Sequence, residues 1–262
     1  MDVVLIVITL LIGVIGGFIA GLVGIGGAII IYPMIILIPP LFGLEGFTAY
    51  TASGLTSAQV FFSTLSGTAR ALKRPIFNVR LIGYMGVGMI VGSVVGAILS
   101  QHFTEQVINY VYIAVSISAI VLMIWKVKPA FSEGIRVHWS MAIVGVFIGL
   151  ISGVIGAGGA FIIIPILLTV YKLPMNTVVT NSIVIAFISS IGAFVMKLFQ
   201  GFVPLEHAIW MVIGSLVMTP IGMKIGEKVP DAVQKAIIII LIAIAIIPVS
   251  YTHLRAHETD SY

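Results

Sequence analysis

A glycine-rich apolar segment occurs twice in this chain and constrains its fold more than any other feature. Residues 13–33 read GVIGGFIAGLVGIGGAIIIYP, and residues 145–165 read GVFIGLISGVIGAGGAFIIIP. Twelve of the 21 paired positions are identical, at a constant spacing of 132 residues. Because each copy interrupts a long apolar stretch, the duplication predicts two related halves that each contain a broken membrane helix.

The composition places the chain in a lipid bilayer. Hydrophobic residues make up 60% of the sequence and charged residues only 8%, too few to solvate the surface of a soluble domain of 262 residues. No clustered basic face suited to nucleic acid is present, and the absence of cysteine excludes disulfides and thiolate metal sites. We therefore predict an all-α polytopic membrane protein with the lipid bilayer as its surroundings and no nucleic-acid partner.

The apolar runs predict the arrangement of helices within each half. They lie at 3–23, 27–42, 47–69, 81–100, 107–125, 139–156, 159–171, 176–196, 207–223 and 236–249. A full span needs about 20 residues. The runs 27–42 and 159–171 are shorter, so we expect four full spans in each half plus one short helix hinged at the glycines.

These runs divide the chain into four parts. We predict an N-terminal transmembrane repeat over 1–125, a cytoplasmic linker over 126–138 and a C-terminal transmembrane repeat over 139–249. The remaining segment, 250–262, is abruptly polar and reads SYTHLRAHETDSY from Ser250. It resembles a translated adapter, so we expect it to be non-native and exclude it from functional reasoning.

Loop charges indicate that the two halves are inserted in opposite senses. Loop 70–80 carries four basic residues and no acid, which predicts a cytoplasmic location, whereas its counterpart 197–206 carries one lysine and one glutamate. The bias reverses in the next pair, because 101–106 has one acid and no lysine or arginine while 224–235 has three lysines and two acids. We therefore favour inverted repeats; a parallel arrangement of the halves stays open.

The glycine breaks are the first candidate site. A helix that begins after Gly26-Gly27, or after Gly158-Gly159, presents free N–H groups and a positive dipole end to the membrane interior, which favours an anion. Close helix packing is the alternative explanation for these glycines. We expect the charged residues to be anchors at the ends of spans, so the glycine backbone carries the anion-binding role. The predicted substrate-binding glycines are Gly24, Gly26, Gly27, Gly156, Gly158 and Gly159.

Hydroxyl and amide side chains form the second candidate group, concentrated in 47–69 and in its copy 176–196. Neutral donors can hold an anion and still release it, although interhelical hydrogen bonding is the alternative explanation. The predicted substrate-binding members are Thr51, Ser53, Thr180, Asn181 and Ser182. The sequence contains no catalytic motif and no metal-ligand cluster, so we expect no enzyme activity, no metal and no cofactor.

The assembled motifs resemble those of the sulfite exporter TauE/SafE family of membrane transporters. The resemblance is carried by FIAGLVGIGGAIIIYP and LISGVIGAGGAFIIIP, by TASGLTSA and TNSIVIAF, and by the GxxxGxxxG helix at Gly88–Gly96, over about residues 3–247. It implies a multi-pass permease of the bacterial inner (plasma) membrane. Its implied substrates are sulfite, sulfoacetate, sulfonates and related organic anions.

Together these features predict a secondary transporter that moves a small anion by alternating access. An anion channel and a non-transporting accessory membrane subunit are the alternatives. The substrate, the direction of transport, the coupling ion and the formation of a homo-oligomer are left open by the sequence.

Overall fold

A computed structural model describes residues 3–24, 26–124 and 139–259. Every secondary-structure element within these ranges is a helix, which confirms the all-α prediction. The first half contains α1 (Val3–Val23), α2 (Ala28–Leu41), α3 (Ala49–Ala71), α4 (Val79–Ser100) and α5 (Glu105–Ile124). The second half contains α6 (Ser140–Ile155), α7 (Ala160–Thr169), α8 (Met175–Phe199), α9 (Leu205–Gly226) and α10 (Asp231–Thr259).

The short helices lie where the glycine segments predict them. In each half a helix stops at the glycines and a shorter one follows, with 14 residues in α2 and 10 in α7. Five helices in the described ranges are long and apolar enough to cross a membrane: α1, α4, α5, α8 and α9. Helix α3 has 23 residues but many hydroxyl side chains, and α6 has 16 because the chain breaks at Gly156.

The helices of the two halves interlock. The two most extensive helix pairs are α1 with α9 and α4 with α6, and each pair joins one half to the other. Helices α3 and α8 pack together in the centre, while α5 and α10 pack against each other and cover α7 and α2, respectively. The core of the molecule is therefore built between the halves rather than within them.

Glycine stripes allow the interlocked pairs to approach closely. A Cβ atom added at Gly88, Gly92 or Gly96 of α4 would overlap the backbone of α6, and one added at Gly13, Gly17 or Gly21 of α1 would overlap the backbone of α9. For these glycines the close-packing explanation holds. Successive contacts also give chain directions: Gly13 lies opposite Met211 and Gly21 opposite Thr219, so α1 and α9 run parallel. Helices α4 and α6 run parallel by the same criterion.

The predicted domain boundaries stay predictions. The proposed linker over 126–138 lies outside the described residues. Helix α10 continues to Thr259, so the helical backbone extends into the segment 250–262 that we expect to be non-native.

Candidate functional site

Both glycine breaks have a left-handed backbone at three matched positions. The φ angles are 74°, 69° and 76° at Gly24, Gly26 and Gly27, and 79°, 61° and 73° at Gly156, Gly158 and Gly159. Residues other than glycine seldom adopt this conformation, so the motif determines where α2 and α7 begin. Gly27 and Gly159 are the N-cap residues of these helices and offer no side-chain acceptor. The first amide groups of each helix consequently have no partner within the helix.

Each break packs against the central helices. A Cβ atom on Gly24 would lie 2.9 Å from the Val179 carbonyl oxygen of α8, and one on Gly156 would overlap the Ser53 carbonyl oxygen of α3. One on Gly158 would lie 2.5 Å from Val60 Cγ1 of α3. The structure therefore brings each glycine break to the α3–α8 pair. The two short helices α2 and α7, by contrast, do not pack extensively against each other. By these contacts, Val179 occupies the same place beside the first break as Ser53 occupies beside the second.

Two of the predicted polar ligands already form hydrogen bonds within the protein. Thr51, half-buried at the start of α3, accepts and donates hydrogen bonds with the N-cap residue Thr48. Asn181 is fully buried; its amide nitrogen donates to the Ile76 and Thr177 carbonyl oxygens at 3.0 and 2.7 Å, and its oxygen accepts from the Asn78 N–H at 2.8 Å. Asn181 therefore joins α8 to the loop between α3 and α4.

The hydroxyls of the other three polar candidates have hydrogen-bonding capacity that the protein itself does not use. The buried Ser53 hydroxyl donates to the Tyr50 carbonyl oxygen at 2.8 Å, which leaves its own lone pairs available. Thr180 Oγ1 accepts from Arg74 Nη1 at 3.2 Å. The buried Ser182 hydroxyl has no partner among the described residues.

Gln59 is a candidate that the sequence analysis missed. It is fully buried in α3, and neither its amide nitrogen nor its oxygen has a partner among the described residues. Gln59 Nε2 lies 3.7 Å from the position of a Cβ on Gly16, and the Gly16 carbonyl lies against Gly27. The free amide is thus next to the start of α2. An unpaired buried amide costs about 1–3 kcal/mol, which a polar ligand or water would offset.

An unpaired hydroxyl lies near the second break as well, and another lies on α8. Ser152 and Ser189 are fully buried, and their hydroxyls have no partner in the described part of the chain. A Cβ atom on Gly159 would lie 3.3 Å from Ser152 Cβ. For Ser189 the only signal in the sequence was the density of polar side chains on α8, which does not distinguish paired groups from unpaired ones. Ser152 is on α6, outside the two polar helices, and had no such signal.

Lys197 corrects one expectation from the sequence. The charge pattern placed it in loop 197–206, as an anchor, but it lies in the last turn of α8 and is fully buried. Its Nζ donates to Ser100 Oγ at 3.0 Å and to the Val154 carbonyl oxygen at 3.2 Å. Lys197 is therefore not an anchor that reaches solvent, because the ends of α4 and α6 cover this position.

A charged cluster lies at the opposite end of α8. Glu227 Oε1 accepts from Arg70 Nε at 2.8 Å and from Arg74 Nη2 at 2.5 Å. These contacts, the Arg70 hydrogen bond foremost, hold the pKa of Glu227 below its ordinary value. Arg74 also lines a small surface cleft together with Gly21 and Thr180.

The broken helices, the long apolar helices around them and the unpaired polar groups at the breaks define a polytopic membrane transporter. The chain belongs to the sulfite exporter TauE/SafE family, whose family model matches residues 9–248. The resemblance stated from the motifs is thereby confirmed over nearly the whole chain.

Relatives agree with this assignment along most of their length. The Probable membrane transporter protein YunE of Bacillus subtilis is 25% identical over 263 residues, which covers 92% of this chain and 94% of that protein. The Probable membrane transporter protein YdhB of the same organism is 24% identical, with coverage of 87% and 94%. A probable membrane transporter protein of Methanocaldococcus jannaschii is 26% identical, with coverage of 84% and 86%. These similarities support a multi-pass membrane location.

Proposed function

We propose that this protein is a secondary transporter for a small anion, a sulfur-containing oxyanion or an organosulfonate such as sulfite or sulfoacetate. The observation that carries the proposal is the fully buried, unpartnered amide of Gln59 beside the start of a broken helix. A helix start attracts negative charge, and the amide supplies a further neutral donor. Membership in the sulfite exporter TauE/SafE family supports the choice of anion class.

The substrate lies between the two glycine breaks, next to the central α3–α8 pair. In this proposal the backbone N–H groups after Gly27 and Gly159 hold the anion. The hydroxyls of Thr180 and Ser182 donate further hydrogen bonds to it, and the Ser53 hydroxyl does so when it turns away from the Tyr50 carbonyl oxygen. Because these donors are neutral, they bind the anion without trapping it.

The two halves form an inverted repeat in this proposal. The ion pair between Arg74, five residues before α4 begins, and Glu227, directly after α9 ends, puts the start of α4 and the end of α9 on one face. Helices α4 and α9 are equivalent in the duplication, so equivalent helices run in opposite directions. The same contact joins the two basic loops, 70–80 and 224–235, which supports a cytoplasmic location for both.

Alternating access is part of this proposal. The cleft beside Arg74 reaches Gly21 of α1 and Gly226 of α9. The matching positions in the duplication are Gly153 and Ser100, and Ser100 Oγ accepts a hydrogen bond from Lys197 at 3.0 Å. In this proposal the two halves rock against each other, so that the anion is reached from one face at a time.

The topology is testable because the chain contains no cysteine. Single cysteines at the exposed positions Lys73 and Lys228 are expected to react with a membrane-impermeant maleimide from the cytoplasmic side. Single cysteines at His102 and Gly201 are expected to react from the outer side. A parallel repeat predicts instead that Lys73 and Gly201 are labelled from the same side.

The transport proposal is tested with purified protein in liposomes. Gly26→Leu and Gly158→Leu should abolish uptake of labelled sulfite and sulfoacetate without abolishing membrane insertion, because the added bulk prevents the close backbone approach. Saturable uptake with counterflow identifies a carrier, and its absence together with rapid flux identifies a channel. Normal flux through both variants contradicts the proposed site, and no flux of any anion by the unaltered protein favours an accessory subunit.

A further inference from the structure

Lys197 is an ionisable side chain buried inside the helical bundle, and the proposed transport site does not use it. It lies on α8 within a predicted membrane span and has no exposed surface. Both ion pairs found in the described residues involve Glu227, so Lys197 has no carboxylate partner there. A permanent charge without a partner is expensive in a membrane interior, and ionisable groups in this position commonly serve function.

The hydrogen-bond geometry around the amine suits its neutral form. A neutral amine has two N–H bonds and one lone pair, and the structure offers two acceptors: Ser100 Oγ at 3.0 Å and the Val154 carbonyl oxygen at 3.2 Å. The third N–H of an ammonium group would find only the face of the Phe202 ring, whose centroid is 5.7 Å from Nζ. The lone pair is therefore free to take up a proton, and the aromatic face then gives a weak additional stabilisation.

The titratable side chains on the helices packed around α8 do not fix the charge of Lys197. Helices α6 and α7 contribute no titratable residue. Helix α4 contributes Arg80 and Tyr84, and α3 contributes Arg70, all near the opposite end of α8. At the Lys197 end, Tyr50 of α3 stacks on Phe202 at a centroid distance of 5.1 Å. Glu105 of α5 accepts from the Ala49 N–H beside Tyr50, His102 follows Ser100 by two residues, and His207 of α9 contacts Phe47. Among the described residues no carboxylate forms an ion pair with Lys197.

The position of Lys197 links it to the second glycine break. Val154, which accepts one of its hydrogen bonds, lies two residues before Gly156 in the last turn of α6. The carbonyl end of a helix stabilises a cation, and an anion held at the break would add the missing negative charge. The most stable states therefore combine a neutral amine with an empty break, or an ammonium group with an anion bound at the break.

We propose that Lys197 couples anion transport to proton transport. When the anion occupies the break at Gly156–Gly159, the Lys197 lone pair takes a proton from water on the side of entry and a new N–H bond forms. When the anion leaves, that N–H bond breaks and the proton passes to water on the side of exit. One proton therefore crosses with each anion, and with the doubly charged sulfoacetate the net charge moved is one negative charge. This inference rests on the proposed anion transport and names its coupling ion.

The charge of Lys197 can be measured directly in lipid. In protein labelled with 15N-lysine, the Nζ resonance distinguishes an amine from an ammonium group, and Lys197→Gln identifies the resonance by its loss. Without anion near neutral pH we expect an amine, and with saturating sulfoacetate an ammonium group. Sulfoacetate is chosen because it does not itself titrate near neutrality. An ammonium signal without anion, or an amine that sulfoacetate leaves unchanged, overturns the proposal.

A flux measurement separates failure of the coupling from failure of the transport. In liposomes, the unaltered protein and the control Lys224→Gln, an exposed lysine on α9, should accumulate sulfoacetate along an imposed pH gradient. Lys197→Gln should exchange sulfoacetate in counterflow but lose the gradient-driven accumulation. Exchange by the unaltered protein that ignores the pH gradient refutes the coupling alone, whereas the absence of all exchange refutes the proposed function.

Discussion

Replacing Gly156 by alanine should disturb the molecule far more than the same change at Gly201. Both glycines are left-handed, with φ angles of 79° and 74°. Their surroundings differ: a Cβ atom on Gly156 would overlap the Ser53 carbonyl oxygen, whereas one on Gly201 would meet nothing within 4 Å. The pair therefore separates the conformational cost of alanine from its packing cost.

The two costs can be estimated. An alanine in the left-handed region costs about 1–2 kcal/mol, and this term applies to both variants. Overpacking adds about 1–3 kcal/mol at Gly156 only, since the Ser53 carbonyl belongs to the α3 backbone and cannot rotate away as a side chain would. We expect a loss in the free energy of unfolding of about 2–5 kcal/mol for Gly156→Ala and about 1–2 kcal/mol for Gly201→Ala.

Reversible unfolding in lipid–detergent micelles measures these losses, and sulfite uptake per reconstituted molecule measures the effect on the site. Gly201→Ala should transport nearly normally, while Gly156→Ala should lose most of its flux even at temperatures where it stays folded. Equal destabilisation of the two variants, with equal flux, would refute the close contact between the second break and α3.

Two further predictions follow from the polar groups. Gln59→Leu removes an unpaired buried amide, so the free energy of unfolding should stay equal or rise by up to about 1–3 kcal/mol while sulfite flux falls; a marked loss of stability would show that the amide is paired in the membrane. Because the folded-state pKa of Glu227 is lowered, its stabilisation is present above its unfolded pKa and is lost as the pH falls through the folded pKa. Glu227→Gln should therefore cost no more than about 1 kcal/mol at neutral pH, less in high salt, and nothing in acid, as measured by thermal unfolding.

The helix pattern could be predicted from the sequence because it depends on local chemistry. The run of apolar residues requires helices in a bilayer, and three glycines with positive φ can only interrupt them. The short α2 and α7 followed from these two rules.

The predicted site was harder to judge, because the role of a polar side chain depends on what lies opposite it. Asn181 looked like a ligand and is engaged with the loop at Ile76 and Asn78. Gln59 looked like one polar residue among many, and its amide has no partner in the described part of the chain. Pairing in a membrane bundle joins residues about one hundred positions apart, which no local pattern records.

The sequence by itself determined the class of protein, the duplication and the positions of the two breaks, since these depend on composition, spacing and backbone conformation. Only the tertiary structure decided that Lys197 is buried, because the cover comes from the ends of α4 and α6. The interlocking of the halves was likewise invisible in the sequence, since the glycine stripes specify close packing but not the partner helix. The glycine segments thus locate the site, and the contacts between the halves select the side chains that surround it.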